Sequence, residues 1–205
     1  MNLSLKEGEE LVKTARKVVE LALEGKEFQP SEEFKKKYSE KRGVFVTIKT
    51  FPEKELRGCI GYPYPIFPLW KALIDSAKAA AFEDPRFPPL RKDEINKVIF
   101  EVTVLTPPQE IKYKDPSELL EKIKIGKDGL IIQYGPYSGL LLPQVPVEEG
   151  WDVVEFLSYT CLKAGLPPDC WTWKGIKIYK FQGQIFEEVE PKGKVVEVVL
   201  KPKEK

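Results

Sequence analysis

The sequence of 205 residues contains no histidine, and this absence excludes several kinds of site. Hydrolases with a Ser-His-Asp triad and thiol enzymes with a Cys-His pair both need an imidazole. The commonest metal ligand is also missing, and Cys59, Cys161 and Cys170 lack the Cys-x-x-Cys spacing of a zinc site. We therefore expect no metal site, and a general base has to be a carboxylate, a lysine or a tyrosine.

Cysteine and methionine are scarce, with three residues and one residue, and Asn2 and Asn96 are the only asparagines. An odd number of cysteines without an export signal argues against a secreted disulfide scaffold. Cys161 and Cys170 could form a disulfide if the protein comes from the cytosol of a thermophile, or they could be two buried thiols. We predict two buried thiols. Few methionines and asparagines beside abundant lysine and glutamate indicate a thermophilic source.

Long apolar runs and an excess of one charge are absent too. No run approaches the ~20 apolar residues of a membrane-spanning helix, and the first residues lack the pattern of a signal peptide. The 33 Lys and Arg nearly cancel the 32 Asp and Glu. This balance argues against nucleic acid or a membrane as partner. The missing membrane span and signal peptide predict a cytoplasmic protein. Because the sequence has no Gly-x-Gly-x-x-Gly motif and no Walker loop, we expect no evident cofactor.

The patterning of the sequence predicts both strands and helices. Alternating apolar residues predict strands over 44–50 and 98–105, and a one-sided apolar stripe predicts a helix over 69–82. Two β-rich runs on either side of Gln182-Gly183 predict a hairpin at that point. Local hairpins with helices between them are typical of an α+β protein with a mainly antiparallel sheet. We expect one domain over residues 1–205, with room for a large and a small lobe.

The residues best suited to chemistry lie in the stretch Leu56–Gly61. In an extended strand Arg57 and Cys59 share a face, so the guanidinium would lie beside the thiol and lower its pKa. Cys59 is then a candidate nucleophile, with Arg57 stabilising the thiolate or binding an anionic substrate. The alternative is a buried strand with a small apolar cysteine and a glycine bulge.

Two proline-rich segments, 62–68 and 84–89, follow this stretch closely enough to frame a cleft. Asp84 is the carboxylate candidate for a base; otherwise it accepts a hydrogen bond from Arg57 or Arg86, or only organises its turn. The remaining candidates for ligand binding are Gly58, Gly61, Arg86, Gln144 and Trp151.

Leu56-Arg57-Gly58-Cys59-Ile60-Gly61 resembles the signature of the AMMECR domain family, named after the AMME chromosomal region. The likeness continues through Asp84-Pro85-Arg86-Phe87-Pro88-Pro89-Leu90, Gly139-Leu140-Leu141-Leu142-Pro143-Gln144-Val145 and Cys161-Leu162-Lys163-Ala164-Gly165-Leu166-Pro167. The matching motifs span most of the chain in order. The resemblance implies that the six-residue signature is the functional centre, and it brings no settled activity with it.

Three functions are compatible with these observations. The first is a ligand-binding or thiol-dependent catalytic site centred on Leu56–Gly61, acting on a small molecule. The second is a non-catalytic module that binds a protein partner, and the third is a regulatory factor acting with nucleic-acid machinery. We predict the first, because the near-neutral charge argues against the third.

Overall fold

The computed structural model describes residues 2–202, which divide into two compact units. Unit 1 is formed by the residues up to Leu105 together with Gln184–Val198, and unit 2 by Thr106–Gly183 with the residues from Val199 onward. The helices and strands, in chain order, are α1 (Leu5–Leu23), α2 (Glu32–Lys37), β1 (Val44–Thr50), β2 (Leu56–Tyr62), α3 (Leu69–Phe82), β3 (Val98–Leu105), β4 (Gln109–Glu110), α4 (Leu119–Lys122), β5 (Asp128–Tyr134), β6 (Tyr137–Leu141), α5 (Gln144–Glu149), α6 (Val153–Lys163), β7 (Lys177–Glu188) and β8 (Val195–Val198).

In unit 1, β1 pairs antiparallel with β2 on one side and with β3 on the other. Alternate residues of β1 and β3 are fully buried on one face, and α1 and α3 contribute their apolar stripes to the same core. The alternation in the sequence therefore predicted β1, β3 and α3 correctly, since one face of each is apolar. The α1 helix begins with a capping box between Ser4 and Glu7.

In unit 2, β5 pairs antiparallel with β6 and with β7, and β4 also pairs with β7. The α6 helix buries Phe156, Leu157 and Cys161 in a second core. It begins with a capping box between Asp152 and Glu155. Helices and antiparallel pairing in both units confirm the predicted α+β class. Within residues 2–202, no helix is both long and apolar enough to cross a membrane.

The predicted hairpin at Gln182-Gly183 is wrong, because β7 continues unbroken from Lys177 to Glu188. The glycine lies inside the strand rather than at a turn. The first part of β7 pairs with β5 and the last part with β8, so the backbone finds hydrogen-bond partners along its length.

The prediction of two free thiols at Cys161 and Cys170 is also wrong, because they form a disulfide. Both cysteines are fully buried. Gly165, with φ of +80°, ends α6 and turns the chain, and a 3-10 turn then places Cys170 with its Cα 5.9 Å from that of Cys161. This separation suits a disulfide, whereas a spacing of nine residues in sequence does not reveal it.

We expect the double variant Cys161→Ser/Cys170→Ser to lose about 2–3 kcal/mol of unfolding free energy, because a short loop is no longer closed in the unfolded chain. Denaturant melts without reductant measure this loss. The control is Cys59→Ser, which removes a thiol and leaves the disulfide in place. Equal midpoints for the double variant and the unaltered protein would contradict the expectation.

Candidate functional site

The signature strand β2 stands at the end of the strand order β2-β1-β3. Cys59 lies opposite Thr47 of β1, and Thr47 lies opposite Glu101 of β3. Directly opposed residues of antiparallel strands project from the same face of a sheet. Cys59, Thr47 and Glu101 therefore form one row across three strands, on the face that does not contribute to the core with α1 and α3.

The Cys59 thiol is partly buried, and it accepts a hydrogen bond of 3.2 Å from the Thr47 hydroxyl. Burial raises the pKa of Cys59; the Thr47 hydrogen bond and the charge of Arg86 oppose this, while Glu101 and Asp84 add to it. The net direction is upward and Arg57 is not among the groups that shift it, so the predicted lowering of the thiol pKa by Arg57 is wrong. At neutral pH the group is a thiol, and it needs a base before it can act as a nucleophile.

Asp84 and Arg86 bind the main chain of Cys59 at the outer edge of β2. Asp84 Oδ2 accepts from the Cys59 N–H at 3.0 Å, and Arg86 Nη2 donates to the Cys59 carbonyl at 3.3 Å. The two side chains are joined by an ion pair of 2.8 Å, and the Arg86 backbone N–H donates to Asp84 Oδ1 at 3.0 Å. We call this arrangement the Asp84–Arg86 bridge. It occupies the polar groups that an edge strand otherwise exposes.

The Asp84 carboxylate is buried, and the hydrogen bonds from Arg86 and from the Cys59 N–H hold its pKa well below its usual range. A carboxylate that already accepts from these groups is ionised at neutral pH and a weak base. Its contacts favour the structural alternative, in which Asp84 organises the turn and binds β2. The predicted roles of Asp84 in catalysis and of Arg86 in ligand binding stay predictions.

Arg57 lies at an irregularity of the β1–β2 pairing, because Ile48 faces Gly58 while Lys49 faces Leu56. Arg57 is thus the extra residue of a bulge, which breaks the alternation on which its predicted position beside Cys59 depended. Its guanidinium binds Glu94, with Nη2 2.9 Å from Oε2, and lies 5.9 Å from the centre of the Phe87 ring. The alternative of an Arg57–Asp84 pair is wrong, since Asp84 pairs with Arg86.

The two glycines of the signature lie where a side chain does not fit. A Cβ at Gly58 would collide with the carbonyl oxygen of Ala80 in α3, and one at Gly61 would collide with the carbonyl oxygen of Val44. Close approach of backbone to backbone explains both glycines without a ligand. Their predicted role in ligand binding stays a prediction.

Sequence reasoning missed a buried acidic pair beside the row. Glu101 and Glu187 are both buried, and Lys49 Nζ lies 2.9 Å from Glu101 Oε2 and 3.5 Å from Glu187 Oε2. Burial raises the pKa of Glu101 to about 7, and Glu187 adds to this while Lys49 opposes it. The sequence could have indicated Glu101, because it is the only charged residue in the apolar strand β3.

Glu187 is not fully paired in this cluster. Its Oε1 is buried without a hydrogen bond within residues 2–202, and Lys54 Nζ lies 3.6 Å from it. By contrast, the buried carboxylate of Glu188 accepts from Arg16 and from the Phe100 N–H. An incompletely bonded buried acceptor is rare and marks a place where a further polar group fits.

Gln144 and Trp151 belong to unit 2. Gln144 is the first residue of α5, and its Oε1 is buried without a hydrogen-bond partner in the described part of the chain. Trp151 stacks on Tyr159 with ring centres 4.1 Å apart and an angle of 5° between the planes. These contacts are local to unit 2, and a role of either residue in ligand binding stays a prediction.

The fold and the polar row define a small α+β protein with ionisable side chains on one sheet face. The chain matches the AMMECR1 family model over residues 12–186, and it belongs to that family. The predicted resemblance is therefore confirmed.

Relatives share nearly the whole chain. The protein NEQ441 of Nanoarchaeum equitans is 64% identical over 87% of this chain and 98% of its own length. MJ0810 of Methanocaldococcus jannaschii is 58% identical over 97% of this chain and 98% of its own. The crystal structure of the uncharacterized protein PH0010 from Pyrococcus horikoshii superposes with a TM-score of 0.83 at 51% identity, over 94% of this chain and 97% of that one.

Proposed function

We propose that Cys59 and Glu101 form a thiol-dependent acid–base site that binds and transforms a small molecule. The observation that carries this proposal is the row Cys59–Thr47–Glu101, in which a partly buried thiol shares a sheet face with a carboxyl group whose pKa is raised to about 7. A general base is most effective when its pKa lies near the working pH. In a chain without histidine, a carboxyl group with this pKa meets that requirement.

The energetic cost of the cluster also supports a functional role. Burying two carboxylates beside Lys49 costs desolvation free energy, because these charged groups lose contact with water. Such a cluster is therefore a poor source of stability for a sheet. Clusters of groups with perturbed pKa values are enriched at functional sites. In the proposed reaction, Cys59 Sγ adds to a carbonyl carbon of the small molecule, the electron pair of the C=O π bond moves to the carbonyl oxygen, and the thiol proton passes to Glu101 by way of water. The Thr47 hydroxyl, already donating to Sγ, stabilises the negative charge on sulfur.

The raised pKa of Cys59 also supports a second candidate, a site that binds a small molecule without covalent chemistry. In that case the thiol is one polar contact among several, and the acidic pair recognises a donor group of the ligand. The two candidates differ in whether Glu101 controls the reactivity of Cys59.

We expect iodoacetamide to modify Cys59 slowly at neutral pH, with a rate that still rises above pH ~8.5, the value for an unperturbed thiol. Glu101→Gln removes the proposed base, so modification at pH ~7 should slow several-fold, whereas an increased rate would show that Glu101 acts on the thiol only through its charge. Thr47→Val removes a hydrogen bond that lowers this pKa, so modification should become slower. Mass spectrometry of the native protein follows the single free thiol.

The matched control is Glu55→Gln, which removes an exposed carboxylate from the same unit. Its rate profile should equal that of the unaltered protein. If Glu101→Gln behaves like Glu55→Gln, the acid–base pair is wrong and non-covalent binding becomes the better proposal. Absence of any modification at Cys59 in the folded protein would contradict a reactive thiol altogether.

A further inference from the structure

A pocket of about 430 Å³ lies in unit 1, beside Arg57. Its size is at the small end of the range of ligand pockets. The residues of its lining that matter here are Phe51, Glu53, Arg57, Glu94, Lys97 and Val98. Cys59 is not among the lining residues, so the bulge gives Arg57 a place in a site of its own.

Arg57 is held firmly in the wall of this pocket. Nε donates to Glu94 Oε2 at 3.2 Å, Nη2 lies 2.9 Å from the same oxygen, and only 12% of the side chain is exposed. Nη2 is enclosed, whereas Nη1 is neither enclosed nor hydrogen-bonded within the described residues. Nη1 is therefore the edge of the guanidinium that a ligand can reach. A guanidinium fixed in this way is well prepared to bind a carboxylate.

Besides the Arg57–Glu94 ion pair, the lining of the pocket carries one further cation, Lys97, and one further anion, Glu53. Lys97 and Glu53 are exposed, and neither forms an ion pair with another residue in the described part of the chain. Since Glu94 neutralises Arg57, the lining has no net charge and keeps one cation and one anion outside any ion pair in the described part of the chain. Phe51, which is partly exposed, supplies apolar surface, whereas Val98 is only 2% exposed.

We propose that this pocket binds an α-amino acid with an apolar side chain. The ligand carboxylate binds Arg57 Nη1 and Lys97, its ammonium group binds Glu53, and its apolar side chain packs against Phe51. This proposal is independent of the proposed thiol chemistry, because Cys59, Thr47 and Glu101 do not line the pocket.

The test is calorimetric titration of the full chain with three matched probes. L-phenylalanine carries both charged groups, 3-phenylpropionate lacks the ammonium group, and phenethylamine lacks the carboxylate. We expect a Kd of about 1 mM or tighter for L-phenylalanine and binding at least ~10-fold weaker for each truncated probe, the equivalent of one charge-assisted contact. Equal binding of all three probes, or no binding of L-phenylalanine, would overturn the proposal.

Variants assign the contacts. Arg57→Gln should weaken L-phenylalanine by at least ~10-fold, while Arg91→Gln should leave it unchanged, because Arg91 also contacts Glu94 but does not line the pocket. Glu53→Gln should weaken L-phenylalanine and leave 3-phenylpropionate unaffected. Since Glu53 is exposed, this variant decides the question even if Arg57→Gln fails to fold. Unchanged L-phenylalanine affinity in Glu53→Gln would show that the pocket does not bind the ammonium group.

Discussion

Asp84→Ala is expected to lower the unfolding free energy by about 2–4 kcal/mol, because a buried carboxylate is lost and its hydrogen bonds are each worth about 1.5–3 kcal/mol, although its partner Arg86 is half exposed. The carboxylate accepts from the Cys59 N–H, the Arg86 N–H and the Arg86 guanidinium, and its side chain is only 2% exposed. Its loss leaves the Cys59 N–H without a protein partner and detaches the turn after α3 from β2. Denaturant melts of the purified variant measure the change.

The control for this variant is an ion pair of similar spacing on the surface. Arg91 and Asp93 pair through Nε and Oδ1 at 3.0 Å, but both side chains are mostly exposed. Asp93→Ala should therefore change stability little, because exposed pairs are screened by water. Comparable losses at Asp84 and Asp93 would show that the Asp84–Arg86 bridge is not what joins the turn to the strand.

The effect of Asp84 should also depend on pH. Its pKa is held below that of an aspartate in the unfolded chain, so the carboxylate stabilises the fold above that pKa and ceases to do so in acid. The stability difference between the unaltered protein and Asp84→Ala should be full at neutral pH and shrink below pH ~4, near the unperturbed value.

Gly58→Ala is expected to cost about 2–4 kcal/mol, at or above the usual cost of overpacking a core, because the added methyl group meets backbone rather than a movable side chain. The group in its way is the carbonyl oxygen of Ala80, within α3. Either β2 or α3 has to shift, and β2 carries Cys59. We therefore also expect faster modification of Cys59 by iodoacetamide in this variant, since the thiol becomes less buried.

Gly193→Ala is the matched control. A Cβ at Gly193 meets chiefly the side chain of Glu190, which is exposed and can rotate away. Its cost should stay below about 1 kcal/mol, as for most surface substitutions. If Gly58→Ala melts like Gly193→Ala, the close approach of β2 to α3 is not the reason for the glycine.

The signature Leu56–Gly61 and the proline-rich segment 84–89 are in direct contact, although they are separated in sequence. Asp84 and Arg86 bind the main chain of Cys59, and Phe87 lies against the guanidiniums of both Arg57 and Arg86. Asp84 and Arg86 thus have a structural role beside β2. The carboxyl group whose pKa is raised to about 7, Glu101, lies instead on β3.

The sequence by itself determined the local elements and the α+β class. Strands β1 and β3 and helix α3 have the predicted limits, because burial of one face imposes a period of two on a strand and of 3.6 on a helix. It also indicated an unusual backbone environment within Leu56–Gly61, since two glycines in a strand suit close approach of another backbone.

Only the tertiary structure decided which side chains meet. The β1–β2 bulge turned Arg57 to Glu94, the turn after α6 joined Cys161 to Cys170, and strand register placed Glu101 in one row with Cys59. Periodicity assigns each residue to a face of its own element but carries no information about the register between elements. Contacts between residues distant in sequence depend on that register, and so do the burial and the pKa values that define the site.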